Sequence, residues 1–301
     1  MKNNKILTAL IIATQFLAVG CKPNVDNLPD VYGKSSRYYI SKNKKHIYAS
    51  DYDALRGSTY SKIREADAKK FIVLGYSYGK DDKHVFYREY LLEGFHSPSL
   101  YNKGKIDVDY NKGKIDVESF VIGEKNYPKD KNRVYRPYPV GNFLEAIEGA
   151  NPDTFDPMDD KLITRDDKHY FYYSTMIDMV DYDSFVFFPG RPDYGKDKHR
   201  AYMLRNYHYV EISIINNANP ETFEVVELNG PEEDNWTRDD KHYFYMGKQH
   251  NIDYDSFQEL YGGVVIDKNH VYRYGKIIEQ TVEEAKAKAA EKFKRENPDV
   301  E

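Results

Sequence analysis

The chain of 301 residues carries 44 Lys and Arg against 49 Asp and Glu, a net charge of −5, and a single cysteine. That balance offers no basic footprint for nucleic acid, and one cysteine excludes an intrachain disulfide. Tyrosine is the outlier at 29 residues, and its amphipathic ring suits strands that are half covered.

At the N-terminus, Lys2 and Lys5 precede an apolar run of only 14 residues, Ile6 to Val19. It is too short for a comfortable membrane span and fits a secretory leader, residues 1–20. Ala18-Val19-Gly20-Cys21 resembles the lipobox of bacterial lipoproteins, with Ala18 where Leu is usual. The resemblance implies cleavage before Cys21 and lipidation of that residue, hence a membrane anchor at the cell envelope. Loss of Lys2 and Lys5 with the leader would move the net charge from −5 to −7, giving no attraction to anionic lipid heads. Residues 21–30, with Pro23 and Pro29, predict a short tether.

From 31 to 280 the chain is repetitive. Thr164-Arg-Asp-Asp-Lys-His-Tyr-Phe-Tyr172 recurs letter for letter as Thr237 to Tyr245, 73 positions later, and repetition of this kind must be read as stacked modules. Looser copies place a His or Arg after an Asp/Lys/Asn cluster and before an apolar or aromatic residue. These positions are His46, His84, Arg133, His169, Arg200, His242 and His270. From the second copy on, a DDKH form (from 81, 166 and 239) alternates with a DK-x-[HR] form (from 130, 197 and 267). The polar cluster predicts a turn and the β-branched or aromatic run a strand leaving it. Residues 31–60 carry a worn version, with Tyr38-Tyr39 and His46 to Tyr48 as a starting strand pair.

Between these strands runs a second motif, [Asn/Asp]-x-[Asp/Glu]-[Ser/Thr]-Phe, ending at Phe120, Phe155, Phe185, Phe223 and Phe257, with a degenerate copy ending at Phe71. It predicts one helical turn with Asn or Asp as N-cap, Pro152 or Pro220 at the first helical position, and an acid where the helix dipole favours it. The preceding Ile115, Ala150, Val180, Ala218 and Ile252 stand at the spacing of a hydrophobic staple. Each turn is expected to pin its Phe inward.

Residues 101–117 duplicate Tyr-Asn-Lys-Gly-Lys-Ile-Asp-Val, which predicts an additional strand and turn or a slipped register. The clearest unit runs from 242 to 278: a strand His242 to Met246, a turn at Gly247-Lys248, a return strand Asn251-Ile252, the turn ending at Phe257, then Val264 to Asp267. A second hairpin signal is Tyr274-Gly275-Lys276. At Thr281-Val-Glu-Glu284 a capping box opens an Ala/Lys/Glu-rich run, predicting a helix over 281–296 within a terminal segment 281–301. It either closes the end of the array or projects into solvent.

Asp130-Lys-Asn-Arg-Val-Tyr135 and Asp267-Lys-Asn-His-Val-Tyr272, alternating with Ala150-Asn-Pro-Asp-Thr-Phe155 and Ala218-Asn-Pro-Glu-Thr-Phe223, resemble the bacterial DKNYY family over about 40 to 280. The resemblance implies β-rich repeats in exported or surface proteins. It implies no activity and supplies no catalytic residues.

Other chemistry finds little purchase. The five repeat histidines fall one per unit, so a metal site would need distant units to converge. Asp181/Asp183 and Asp253/Asp255 beside the Asp pairs could offer oxygen ligands to calcium, but capping already employs them. Acid pairs could suggest a glycosidase, yet pairs are expected among 49 acids. Gly75-Tyr-Ser-Tyr-Gly-Lys80 is short by one for a phosphate loop. Ser41-Lys-Asn-Lys44 lacks the partner motifs of a penicillin-binding enzyme, and Asn235-Trp-Thr237 is a chance glycosylation triplet.

The expected architecture is mainly β: a tandem β-hairpin repeat array with short capped helical turns, plus one C-terminal α-helix, each unit needing its neighbours to complete its core. No catalytic residue, metal or cofactor is expected. The expected role is a non-enzymatic envelope lipoprotein whose tyrosine-rich repeats bind a glycan or protein partner. The alternatives are an assembly factor of the envelope, or a hydrolase of envelope polysaccharide, which would need a cleft unique to one unit.

Overall fold

The computed structural model describes residues 23–53, 57–75, 77–96, 112–159, 162–206, 210–228 and 235–298. Cys21, the leader and residues 101–111 of the duplicated segment lie outside them. The described chain divides into two compact units, the first ending at Ala146 and the second beginning at Ile147. Both are built from small antiparallel meanders, and among the described residues the one α-helix is Val282–Glu296. The mainly-β repeat architecture is as expected.

In the first unit, the opening meander joins Val25–Asn27, Tyr38–Ser41, Ile47–Asp53 and Gly57–Ile63 in chain order. Its first strand falls inside the expected tether, which is thus corrected: Val25 pairs with Ser41 and Asn27 with Tyr39. The next meander runs Ile72–Val73, Tyr78–Lys80, Val85–Tyr87, Tyr90–Leu92. The third repeat is fragmented. Val121–Ile122 pairs only with Pro128–Lys129, while Gly94–His96 pairs antiparallel with Lys112–Gly113 and parallel with Phe143–Glu145. Pro128, Pro137 and Pro139 cannot donate to a ladder, so the strand through Val134 and Tyr135 is reduced to isolated bridges.

The second unit is more regular. A three-stranded sheet, Ile163–Arg165, Tyr170–Tyr172 and Thr175–Ile177, is followed by three four-stranded meanders. These begin at Val186–Phe188, Glu224–Val225 and Gln258–Leu260. The identical segments adopt identical pairing, Arg165 opposite Tyr170 and Arg238 opposite Tyr243. Tyr170-Phe171-Tyr172 and Tyr243-Phe244-Tyr245 are buried at every position, so these strands are covered on both faces, as their consecutive aromatics imply.

In the last two sheets, strands three and four join through two-residue hairpins with left-handed backbone, Met246 at φ 49° and Gly247 at φ 71°, Tyr274 at φ 49° and Gly275 at φ 67°. This twist matches that of the flanking strands. The return strand after Met246-Gly247 is Lys248–His250, three residues earlier than the expected Asn251-Ile252. The tight turn closes at once, and Asn251-Ile252 is left to lead into the next helical turn. Gly275 also packs against its neighbour: a Cβ there would stand 2.3 Å from Cδ1 of Tyr245.

Within each unit the apolar cores lie where consecutive sheets meet. Tyr38, Ile47 and Ile63 cluster with Val73 and Phe86 of the following sheet. In the second unit, Ile163 and Tyr170 cluster with Phe185 and Tyr202, Tyr194 and Met203 with Phe223 and Phe244, and Trp236 and Tyr245 with Val265 and Tyr272. The series ends on the helix, whose Ala285 packs with Leu260, Ile266 and Val271, flanked by Val282 and Ala289. Thr281 accepts from the Glu284 N–H and Glu284 returns to the Thr281 N–H, the expected capping box. The helix therefore closes the array.

Candidate functional site

The recurring polar residues assemble into a latch that closes each repeat. The first Asp of every turn (Asp81, Asp130, Asp166, Asp197, Asp239 and Asp267) is buried. One carboxylate oxygen accepts the N–H groups two and three residues on. For Asp239 these come from Lys241 at 2.8 Å and His242 at 2.6 Å. The other oxygen accepts the N–H of the residue that opens the preceding helical turn: Asn219 at 2.9 Å here, and Asp67, Asp116, Asn151, Asp181 and Asp253 in the other repeats. Burial disfavours the charge on Asp81, Asp197, Asp239 and Asp267, but these N–H donors outweigh it and hold each carboxyl below its ordinary value. In the worn first copy Ser41 takes this place, its hydroxyl accepting from Lys45 and His46 at 3.1 and 3.0 Å.

The latch comes in two chemistries. In the first, the next residue is Asp167 or Asp240, which accepts from the side chains of Asn151 and Thr154 or of Asn219 and Thr222. In the second it is Lys131, Lys198 or Lys268, which pairs with the carboxylate of Asp116, Asp181 or Asp253. Ser119, Ser184 and Ser256 donate their hydroxyls to the same carboxylates. Lys131, then Ser119, draw the Asp116 carboxyl down to about 2. The second chemistry also carries Tyr135, Tyr202 or Tyr272, each donating its hydroxyl to the buried Asp at 2.6–2.8 Å. The first has Phe86, Phe171 or Phe244 instead.

Against this frame the repeat residues find structural places. His84, His169, His242 and His270 stand edge-on to the ring two residues on, with centroids 6.0–6.2 Å apart. Their Nδ1 atoms lie 3.3–3.6 Å from the latch Asp, too long to rival the backbone donors. His46 lies with Nε2 3.5 Å from Lys62 Nζ. Arg133 lies over the Phe95 ring at 4.4 Å, and Arg200 is exposed. Phe120, Phe185 and Phe223 are buried as expected, whereas Phe71, Phe155 and Phe257 are half-buried. Glycines at 79 and 195 make room for the Phe rings: a Cβ would meet Phe71 at 2.4 Å and Phe185 at 2.7 Å. Among the described residues, no three His, Cys, Asp or Glu side chains converge as metal ligands would.

The tyrosines depart from a surface ladder. Tyr38, Tyr78 and Tyr194 are buried, and their hydroxyls donate to Ser77 O, Pro137 O and Asn235 O of later segments at 2.8, 2.8 and 3.3 Å. Tyr182 and Tyr254 donate back to Asp166 O and Asp239 O at 2.6 and 2.8 Å. Among the described residues the exposed rings, Tyr32, Tyr90, Tyr138, Tyr261 and Tyr274, occupy unrelated positions. An amphipathic ring at regular spacing serves a core seam as well as a surface, and here the seam takes it.

Tyr78–Lys80 is a strand rather than a phosphate loop. Lys80 Nζ donates to Val117 O, Glu118 O and Phe120 O at 2.9–3.0 Å, closing the C-terminal end of the next helical turn. Trp236 and Thr237 are buried, so the Asn-Trp-Thr triplet lies in a core strand. Thr164 and Thr237 are fully buried with hydroxyls that have no partner among the described residues.

One departure from the repeat, in the second unit, forms a groove. A groove of about 570 Å³ opens beside Val186–Phe188, lined by Ile163, Tyr170, Phe185, Phe187, Phe188, Pro189 and Gly190, with Asp159 the one charged lining residue among those described. The equivalent strands read Ile72-Val73, Val121-Ile122, Glu224-Val225 and Gln258-Glu-Leu260; only here do two further aromatics follow the motif Phe. Phe187 packs against Phe185 at 4.7 Å and Tyr170 at 6.0 Å. Val186 is half exposed. The strand lies at the edge of its sheet, and Pro189 with Gly190 at φ 72° turns it back. Sequence reasoning missed this groove, although Val186-Phe187-Phe188 is its visible trace.

Residues 163–296 match the model of the DKNYY family. No curated protein and no solved structure matches the chain.

Proposed function

We propose that the chain is a non-enzymatic repeat module, anchored to the bacterial envelope by a lipid on Cys21, that holds an extended apolar segment of another envelope protein. The observation that carries this reading is the groove at Val186–Phe188, where two aromatics without counterpart in the other repeats follow the motif Phe. The residues that recur are committed to latches and seams, so a partner site is expected among those that do not. A cavity of 300–1,000 Å³ with an apolar lining is the usual form of a binding site. An edge strand beside it leaves backbone N–H and C=O groups facing outward, to which an extended peptide can add as a further strand while its side chains enter the groove. A glycan would call for more polar groups than one acid and one tyrosine.

The experiment is capture from envelope extracts by the full chain, made soluble by Cys21→Ser, beside the variants Val186→Lys and Phe188→Ser. Partner capture by the parent and its loss in both variants is the expected result. Capture that survives both, or retention of a glycan panel with no protein bound, would overturn it. Metabolic labelling with an alkyne fatty acid tests the anchor: label should enter the wild type and be absent from Cys21→Ser.

A further inference from the structure

From Asp116 on, the two latch chemistries strictly alternate. Opening with the pair at Asp67 and Asp81, then 116/130, 151/166, 181/197, 219/239 and 253/267, acid and lysine alternate at the residue after the buried Asp: Asp82, Lys131, Asp167, Lys198, Asp240, Lys268. The turn that each one meets alternates in step. Where the residue is Lys, the turn opens with Asp and carries Ser; where it is Asp167 or Asp240, the turn opens with Asn and carries Thr. The first latch supports the same logic. There Asp82 meets a turn that opens with Asp67, and Lys70 occupies the Thr position and pairs with Asp82. Here, where an acid would face an acid, the lysine pairs with Asp82.

We propose that this alternation is a register lock, which keeps each Asp turn from closing on the helical turn of an adjacent repeat. The hazard is real in this chain, because the backbone donors to the buried Asp are the same in all six latches, adjacent ones included. A correct latch closes over 14 to 20 residues. If the turn at Asp181 met Asp166-Asp167, its carboxylate would face that of Asp167. If the turn at Asn151 met Asp197-Lys198, the lysine would face a neutral amide. Both of these neighbouring errors are therefore mismatched; at the first turn, where Asp67 would suit Lys131, the mismatch comes from Lys70, which would face that lysine. The matching but incorrect partner lies two repeats away, where loop closure already disfavours it.

The triple variant Asp253→Asn/Ser256→Thr/Lys268→Asp in the full chain tests the lock, with Lys268→Asp alone as the mismatched control. The triple variant makes two adjacent latches alike while keeping each one internally matched. Unfolding midpoints followed by Trp236 fluorescence measure the native state, and monomer yield on size exclusion after refolding by dilution measures misassembly. The lock predicts a near-native midpoint for the triple variant and a monomer yield reduced by about two-fold or more, with the control lowered in midpoint. Refolding at the wild-type yield would overturn the proposal. So would a triple variant as destabilised as the control, since that would tie each latch chemistry to its local surroundings and not to its neighbours.

Discussion

Replacing Asp239 tests the latch where it can be read most cleanly, because Trp236, the only tryptophan, is buried in the same repeat beside Tyr245 and Phe257. The carboxylate is 2% exposed and accepts three N–H groups, from Asn219, Lys241 and His242, at 2.9, 2.8 and 2.6 Å. Hydrogen bonds to a charged group contribute about 1.5–3 kcal/mol each. They share one acceptor and part of the turn rehydrates on its loss, so Asp239→Ala should cost about 4 kcal/mol, short of the sum. Asp239→Asn keeps the oxygen that faces Lys241 and His242 but turns an NH₂ toward the Asn219 N–H, and should cost about 2 kcal/mol. Urea unfolding followed at Trp236 gives both numbers. The pH dependence has a defined sign. The folded carboxyl lies below its ordinary value, so its contribution is complete above the unfolded value of about 3.9. It fades as pH falls through the folded value. The gap between wild type and Asp239→Asn should therefore be constant from about pH 5 to 8 and close below about pH 4. A cost for Asp239→Ala under about 1 kcal/mol, or a gap that widens in acid, would refute the reasoning.

Two further substitutions probe the seams. Thr237→Val replaces a buried hydroxyl without a partner by a methyl of the same shape and should raise stability by about 1 kcal/mol; a lowered Trp236 midpoint would show that the hydroxyl is bonded after all. Gly275→Ala places a Cβ 2.3 Å from Tyr245 Cδ1 on a backbone at φ 67°, and strain plus overpacking should cost about 3 kcal/mol. A thermal midpoint unchanged from wild type would show that the hairpin tip is not packed on the preceding repeat.

What the sequence discloses here is local, and what it conceals is non-local. The Asp cluster, the aromatic strand after it and the turn before the motif Phe are each set by a handful of neighbouring residues and were legible, though that turn is helical only at Tyr254–Ser256, where Asp253 makes no side-chain cap. So was the helix from Thr281, whose capping box is written in four letters. That Asp239 reaches back to Asn219 was not legible, although the pairing of Asn and Thr with one turn and Asp and Ser with the other stood in the letters throughout. Covarying types show a relation, but only the folded chain shows contact. The strand Val25–Asn27 was hidden because it has one apolar residue and takes its conformation from the edge of Tyr38–Ser41. The tyrosines misled for the opposite reason: their spacing was plain, but a ring with a polar tip satisfies a seam and a surface equally. The groove lies in two letters, Phe187 and Phe188, which only a comparison among repeats sets apart.

Because each sheet of the second unit finishes its apolar cover on the one after it, the sheet of Gln258–Leu260 would be left with an uncovered apolar face if nothing followed it. Val282, Ala285 and Ala289 occupy that place and present lysine and glutamate outward. The helix thus ends the series of sheets within the second unit, covering with its own small side chains the apolar face that a further sheet would otherwise have covered.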